Sequence, residues 1–483
     1  MKRILFTLSI SLFFILGKGQ DVSSYYVSTD GKSGAVLKSA LHDIITSHEK
    51  IYYGNLWAMY ESTDFIEGTK NSAGHYRVFD YYSNNIHYFN GDGTTVSGMD
   101  REHAVPQSWW GNDNNLDVRS DLFHVMPSDS KANSAKSNYP LGVVKGTTSF
   151  SNPRMKTGKD STGKMVFEPT DDYKGDFARM YFYIATCYPD IWQTGTNYAM
   201  QSEAYPTLKS WIVDMLLQWH RQDPVSEWEM KRQERVARFQ HNRNPFIDYP
   251  EFAEHIWGNK KTSPFSLSSA TLQSLNTDTY QYGSVFYSTF LGDRAGFTTK
   301  NVKGSYTVWK NDATYGWKAT AYISGSNKAA ESWLILPAIE LPTEYAVVAF
   351  DHALNKGTAD GVSLHISTDK TNWTELKVPT WPAGTNWTFL FSGDIDLQDF
   401  LGQTVYFGFR YVSTTSNAPT WEVKNFTVFG GGKRTVPTGI EEVKSEKQKV
   451  NNDGDVYDMM GRRVISLSPG NIYIKNGKKI IYK

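Results

Sequence analysis

Between residues 34 and 260 the apolar positions recur at helical spacing. Leu37, Ala40, Leu41, Ile44 and Ile45 share one side of a turn repeat, as do Leu208, Trp211, Ile212, Met215, Leu216 and Trp219. Each set predicts an amphipathic helix with its apolar stripe turned to a core. Asp223 followed by Pro224 has the form of a helix start, a capping side chain with proline at the first helical position. Trp228, Arg232, Arg235 and Phe239 ride the helix it predicts, and Asn244-Pro245 lies beyond its end. A Ser/Thr-rich stretch, 261–271, closes this texture. Past it, Val362-Ser363-Leu364-His365-Ile366 and Thr404-Val405-Tyr406-Phe407-Gly408-Phe409-Arg410 alternate with period two between Gly, Asn, Asp and Pro turns. That is the pattern of an all-β sandwich. After Gly430-Gly431-Gly432 a charged linker leads to short strands at 456–464 and 470–474, a block too small for a large core.

The first twenty residues read as an address. Lys2 and Arg3 precede the apolar stretch Ile4 to Leu16, and Gly17 and Gly19 follow, as in a secretory signal peptide. The stretch is well short of the ~20 residues that span a bilayer, and no later segment approaches that length. The chain therefore divides into a signal (1–20), a helix-rich domain (21–260), a linker (261–271), a β-sandwich (272–432) and a C-terminal linker with a small module (433–483). The break at 261–271 predicts that residues 21–260 fold as a separable unit. Fifty basic and fifty acidic residues cancel, so a nucleic-acid surface would have to be local. The single cysteine, Cys187, excludes intrachain disulfides and thiolate-paired zinc sites, and its apolar surroundings suit a buried thiol.

The densest polar constellation is Asp100-Arg101-Glu102-His103, followed by Arg119, Asp121 and His124, then Lys131, Asn133, Lys136 and Asn138. An imidazole, a carboxylate and an amide at this spacing supply a general base and hard oxygen ligands for an ion such as Mg²⁺. With an arginine to hold a phosphate oxygen, they make a minimal kit for metal-assisted phosphodiester hydrolysis. Neighbours on a regular strand face opposite ways, so Glu102 and His103 share one site only at a strand end or a distortion.

Four collinear stretches carry a family resemblance. They are Arg101 through Trp109, Ser120-Asp121-Leu122-Phe123-His124-Val125-Met126-Pro127 with Lys131 through Asn138, Asp176 through Tyr183, and Pro224 through Phe246. Together they resemble the bacterial endonuclease I family, secreted or periplasmic nucleases of the ββα-metal fold. The resemblance implies an α+β nuclease domain with His103 as general base, and Glu102 and Asn133 as protein ligands of one Mg²⁺, for which Mn²⁺ can substitute. The substrate it implies is DNA, or RNA. In the family's disulfide-bearing periplasmic members the phosphate-holding arginine lies in a Cys-containing insertion between the two motifs, where this chain has only a short stretch with no Cys, and Arg119 is the local substitute by chemistry. Two readings of Arg119 stand, that role and a salt bridge to Asp117 or Asp121. His124, Arg235 and Arg243 are candidate substrate contacts, against packing for His124 and a solvated helix face for the arginines. Arg179, beside apolar helix positions, suits an internal ion pair.

The β block, through Ser332 to Ile339 and Val423 to Val428, resembles cleaved-adhesin or choice-of-anchor jelly-roll-like sandwiches. This implies a binding or spacer role, with a glycan as candidate ligand and Trp309, Trp317, Trp373, Trp381, Trp387 and Trp421 as candidate platforms unless they pack in the core. The last block resembles a small β sorting domain read by type IX secretion machinery. That implies passage through the periplasm and outer membrane to a secreted or cell-surface location. The reading as a whole is a secreted nonspecific endonuclease. Its rival is an adhesin or carbohydrate-binding surface protein with an inactive nuclease-like domain.

Overall fold

The computed structural model describes residues 22–194, 199–277, 279–433, 440–443, 456–458, 472–475 and 478–482. The signal segment, and much of the sorting block, lie outside them. The short helix α1 (Val22–Tyr25) precedes α2 (Gly34–Ile45), which buries Leu37, Ala40, Leu41 and Ile45 as its spacing predicts. Helix α3 (Leu56–Thr63) leads into the hairpin β1 (Phe65–Lys70) and β2 (Tyr76–Val78). Strands β3 (Met99–His103) and β4 (Val125–Asp129) pair antiparallel, and α4 (Ser130–Lys136) follows β4 without a break. Asp129 ends the strand and caps the helix, its carboxylate accepting from the amides of Lys131 and Ala132, both at 3.0 Å. A three-stranded sheet of β5 (Thr148–Ser151), β6 (Met155–Lys159) and β7 (Met165–Pro169) comes next.

Helix α5 (Lys174–Cys187) is the centre of this half, buried from Gly175 to Cys187. Around it lie α6 (Ser210–Gln222), α7 (Glu227–Gln240), α8 (Pro245–Asp248) and α9 (Phe252–Ile256). Helix α6 buries Ile212, Leu216, Leu217 and Trp219, whereas Trp211 in its first turn is 49% exposed. The start of α7 differs from the sequence expectation. Asp223 ends α6 and its carboxylate accepts from the Gly175 amide at 2.7 Å, so it serves α5. Ser226 caps α7 instead, in a reciprocal box with Glu229. Asn244-Pro245 does lie beyond α7 and starts α8.

The sandwich has one seven-stranded and one six-stranded antiparallel sheet. Their inward residues, among them Val348, Leu364, Phe407, Phe409, Trp421 and Val428, form a second core. Trp309, Trp317 and Trp421 belong to that core and Trp381 packs on it, so these four indoles are not surface platforms. Trp387 is exposed, and Trp373 is half-buried with its ring 5.1 Å from Trp333.

Residues 261–271 are a strap rather than a loose linker. Phe265 is buried against Phe252 in the first core, with ring centroids 4.2 Å apart, and its amide donates to the Lys32 carbonyl at 2.7 Å. The sandwich is also joined to the helical half by an Arg238–Asp394 pair and by Phe239 against Phe391. The described residues from Val22 to Gly432 fall in one compact unit. Phe265→Ala should lower stability by about 3–5 kcal/mol, read from the urea midpoint, because it empties a filled aromatic site. The second unit, 433–483, contains a four-stranded sheet in the order 440–443, 478–482, 472–475, 456–458.

Candidate active site

The β3–β4 ribbon is in register from Met99 opposite Asp129 to His103 opposite Val125, with no bulge. Side chains therefore alternate. Asp100 and Glu102 turn to α4, where Asn133 and Lys136 share a face at three-residue spacing. Asn133 Nδ2 donates to Asp100 Oδ2 at 3.2 Å, and Lys136 Nζ donates to Glu102 Oε1. Lys136 Nζ also donates to the His103 carbonyl oxygen at 2.7 Å, so the helix grips the ribbon where Glu102 and His103 adjoin. The two residues share the end of an undistorted strand. Burial pushes the Glu102 carboxyl above the ordinary glutamate range, against the pull of the Lys136 ammonium.

Arg101 and His103 turn the other way, toward Tyr53. The Tyr53 and His103 rings are nearly parallel, 14° apart with centroids separated by 6.3 Å. His103 is 4% exposed, and its Nε2 donates to the Arg119 carbonyl at 2.9 Å. That bond fixes the proton on Nε2 and leaves the Nδ1 lone pair with no partner among the described residues. Burial, helped by His124, holds the His103 pKa well below the usual histidine value, so the ring is neutral and able to accept a proton.

His124 lies beneath it, fully buried, its Nε2 donating to Val118 O at 2.6 Å and its ring 5.5 Å from that of His103. Burial lowers its pKa to about 4. It packs beneath the His103 ring, the packing alternative for this residue, and is buried away from any substrate contact. Arg235 and Arg243 depart from the sequence expectation. Arg235 is 1% exposed and donates to Glu67, Tyr282 and the Phe65 carbonyl, while Arg243 is held by Asp248 and Glu234. Their carboxylates leave no guanidinium face for a phosphate. Arg235→Ala should cost about 3–5 kcal/mol of stability by stranding buried partners. It should leave the salt dependence of nucleic-acid binding as in the parent, as chemical unfolding and anisotropy would show. Arg179 makes the expected internal pair, to Glu229.

Arg119 has neither of its expected acidic partners. Lys50 holds Asp117 at 2.6 Å, and Asp121 accepts from Tyr183 and Tyr188 at 2.8 and 2.9 Å. Arg119 instead lies 3.8 Å from the Tyr53 ring centroid, beside His103. Tyr53 itself escaped the sequence reading, because an isolated tyrosine far upstream of the motifs carries no signal. Lys136 was readable in principle, since Asn133 and Lys136 share a helix face as Asp100 and Glu102 share a strand face.

For a divalent ion, the Glu102 carboxylate and the Asn133 amide oxygen are hard donors, and Asp100 holds Asn133 by its other amide atom. Glu102 already draws one cation, Lys136. This donor chemistry fits a Mg²⁺-type ion. A second group, His48, Asp121 and Cys187, has its polar atoms within 4.8 Å of one another. Those atoms already hydrogen-bond to Tyr188, Tyr183 and the Ile45 carbonyl, so the group reads as structural.

Two antiparallel strands followed directly by a helix, with an imidazole and a carboxylate at the ribbon's end and an amide on the helix, are the frame of a ββα-type nuclease. The chain belongs to the Endonuclease I family, whose model matches residues 33–251, and it is a nuclease. It is 36% identical over 245 residues to a Bacillus subtilis (strain 168) protein named extracellular ribonuclease, covering 49% of this chain and 79% of that one. It is 26% identical over 132 residues to an Aeromonas hydrophila protein named extracellular deoxyribonuclease, covering 27% of this chain and 50% of that one. Among solved structures, the K3 cleaved adhesin domain of Lys-gingipain from Porphyromonas gingivalis is similar to 32% of this chain over 99% of its own, with 14% identity and a TM-score of 0.24.

Proposed function

We propose that this nuclease is a secreted, Mg²⁺-dependent endonuclease that hydrolyses DNA and RNA with little regard to sequence. The observation that carries the reading is the His103 imidazole, pinned through Nε2 to the Arg119 carbonyl at the end of the strand that carries Glu102, with Asn133 on the helix that follows the ribbon. His103 Nδ1 takes the proton from the attacking water, which stays neutral and weakly nucleophilic without a base. Arg119 holds a non-bridging phosphate oxygen. Glu102 and Asn133 hold Mg²⁺, which when bound stabilises negative charge on the phosphate and leaving oxygen. His124 and Tyr53 fix the imidazole plane from below and beside it.

Contacts confined to phosphates carry no base information, which favours cutting without sequence preference. Relatives named extracellular ribonuclease and extracellular deoxyribonuclease support both polymers and an exported enzyme. No helix of the described residues is long and apolar enough to cross a membrane. In this reading the signal segment and the 433–483 block direct export through the periplasm and outer membrane. Deleting 433–483 then strands active enzyme in the periplasm of the native host. Any sugar contact of the sandwich falls on Trp373 and Trp387, the two of its six candidate indoles outside the core. End-labelled RNA and DNA of one random sequence, digested with Mg²⁺, test the proposal. Cuts spread along both polymers are expected, and cutting at one sequence alone would contradict it.

A further inference from the structure

We propose that Arg101 and Arg119 form a two-arginine clamp, built on Tyr53, that grips two successive phosphates of one nucleic-acid strand. The preferred substrate is then a chain of at least two phosphodiesters, not a single diester. The inference rests on the nuclease reading above and names the part of the site that engages the strand.

The two guanidiniums share one ring, with their central carbons 5.0 Å (Arg101) and 3.8 Å (Arg119) from the Tyr53 centroid. Their separation cannot exceed the sum of those distances. Both side chains are half-buried, and the Nε of each is buried without a hydrogen-bond partner. Neither guanidinium forms an ion pair or hydrogen bond with another described residue.

The fully buried arginines of this fold are each matched by a carboxylate, whereas half-buried Arg77 and Arg154 share with the clamp a nitrogen that lacks a partner. Arg179 meets Glu229, Arg232 meets Asp64, Arg235 meets Glu67 and Arg243 meets Asp248. The acids nearest the clamp in sequence are already engaged, Asp100 by Asn133, Glu102 by Lys136, Asp117 by Lys50 and Asp121 by two tyrosines. Two like charges held on one ring face each other's repulsion, and a π face compensates a guanidinium far less than a carboxylate or phosphate does. An arriving anion with two charged oxygen clusters would relieve that repulsion and satisfy the open donors, as bidentate arginine–phosphate contacts do.

Placement supplies the reaction geometry. Arg101 and His103 project from the same side of β3, and the Tyr53 ring lies alongside the His103 ring. A strand held by Arg119 at the scissile phosphate therefore passes Arg101 at a neighbouring one. Since both contacts are to phosphate, the clamp selects polymer over monomer without selecting sequence.

The test uses the full chain carrying His103→Ala, so that ligand is bound and not consumed, with Mg²⁺ present. Fluorescence anisotropy follows labelled thymidine oligonucleotides with one, two and four phosphodiesters across a salt series. Affinity should rise several-fold between one and two phosphodiesters. Arg101→Gln should abolish that step and reduce the magnitude of the log K against log salt slope by about 0.7, the value for one phosphate contact on a single strand. Arg101→Lys, which keeps the charge, should retain most of the slope. The clamp is overturned if the step and slope survive Arg101→Gln, or if affinity falls equally at every length with the slope unchanged. Failure of the parent enzyme to cut nucleic acid would sink the catalytic reading separately, since binding is measured without turnover.

Discussion

His103→Ala should lower the cleavage rate by roughly 10²–10⁴-fold while nucleic-acid affinity stays within a few-fold of the parent, because a general base acts on the transition state and adds little to phosphate binding. The structure gives this variant a clean reading. His103 makes one hydrogen bond through its ring, to the Arg119 carbonyl, so its removal breaks no ion pair. The neighbouring His124 cannot replace it, being fully buried with its Nε2 proton committed to Val118. Single-turnover rates and anisotropy on the same preparation separate the two effects. A matching loss in rate and affinity would mean that His103 shapes the binding surface and does not serve as the base.

Glu102→Gln should raise the Mg²⁺ concentration for half-maximal activity by about tenfold or more, since it removes the charged oxygen donor of the ion. It also removes the counter-charge of Lys136, which is 1% exposed at its side chain. The glutamine oxygen can still accept from that ammonium, so much of the fold's stability should survive. Glu102→Ala offers no such acceptor, and stranding the buried ammonium should cost about 3–5 kcal/mol. Asn133→Ala should shift the Mg²⁺ requirement in the same direction with little change in stability, because Asn133 is only half-buried and bonds one neighbour, Asp100. Titrations of activity against Mg²⁺, paired with urea unfolding, distinguish a lost ligand from a loosened fold.

Local patterns made the site legible where the chemistry is contiguous. Strand alternation and helix spacing set Asp100 and Glu102 against Asn133 and Lys136, and leave Arg101 and His103 on the other face. What could not be read is what distant residues do to a side chain. Arg235 and Arg243 look like a basic helix face in sequence, yet Arg235 is neutralised by Glu67, 168 residues before it and delivered by tertiary packing, and Arg243 by Asp248, five residues on in the next helix. His124 belongs to a motif but lies on its inner side. Asp223 and Ser226 are both good capping residues, and the choice between them was made by the Gly175 amide of another helix. The polar composition of 261–271 hid one residue, Phe265, that turns a linker into part of the core.

The most direct measurement of the central claim is cleavage of supercoiled plasmid by the full chain with Mg²⁺, with EDTA, and with Mg²⁺ after His103→Ala. Relaxed and linear products are expected in the first reaction only. Equal cutting in EDTA, or by the His103→Ala protein at the parent's rate, would contradict a His103 base working beside an ion held by Glu102 and Asn133.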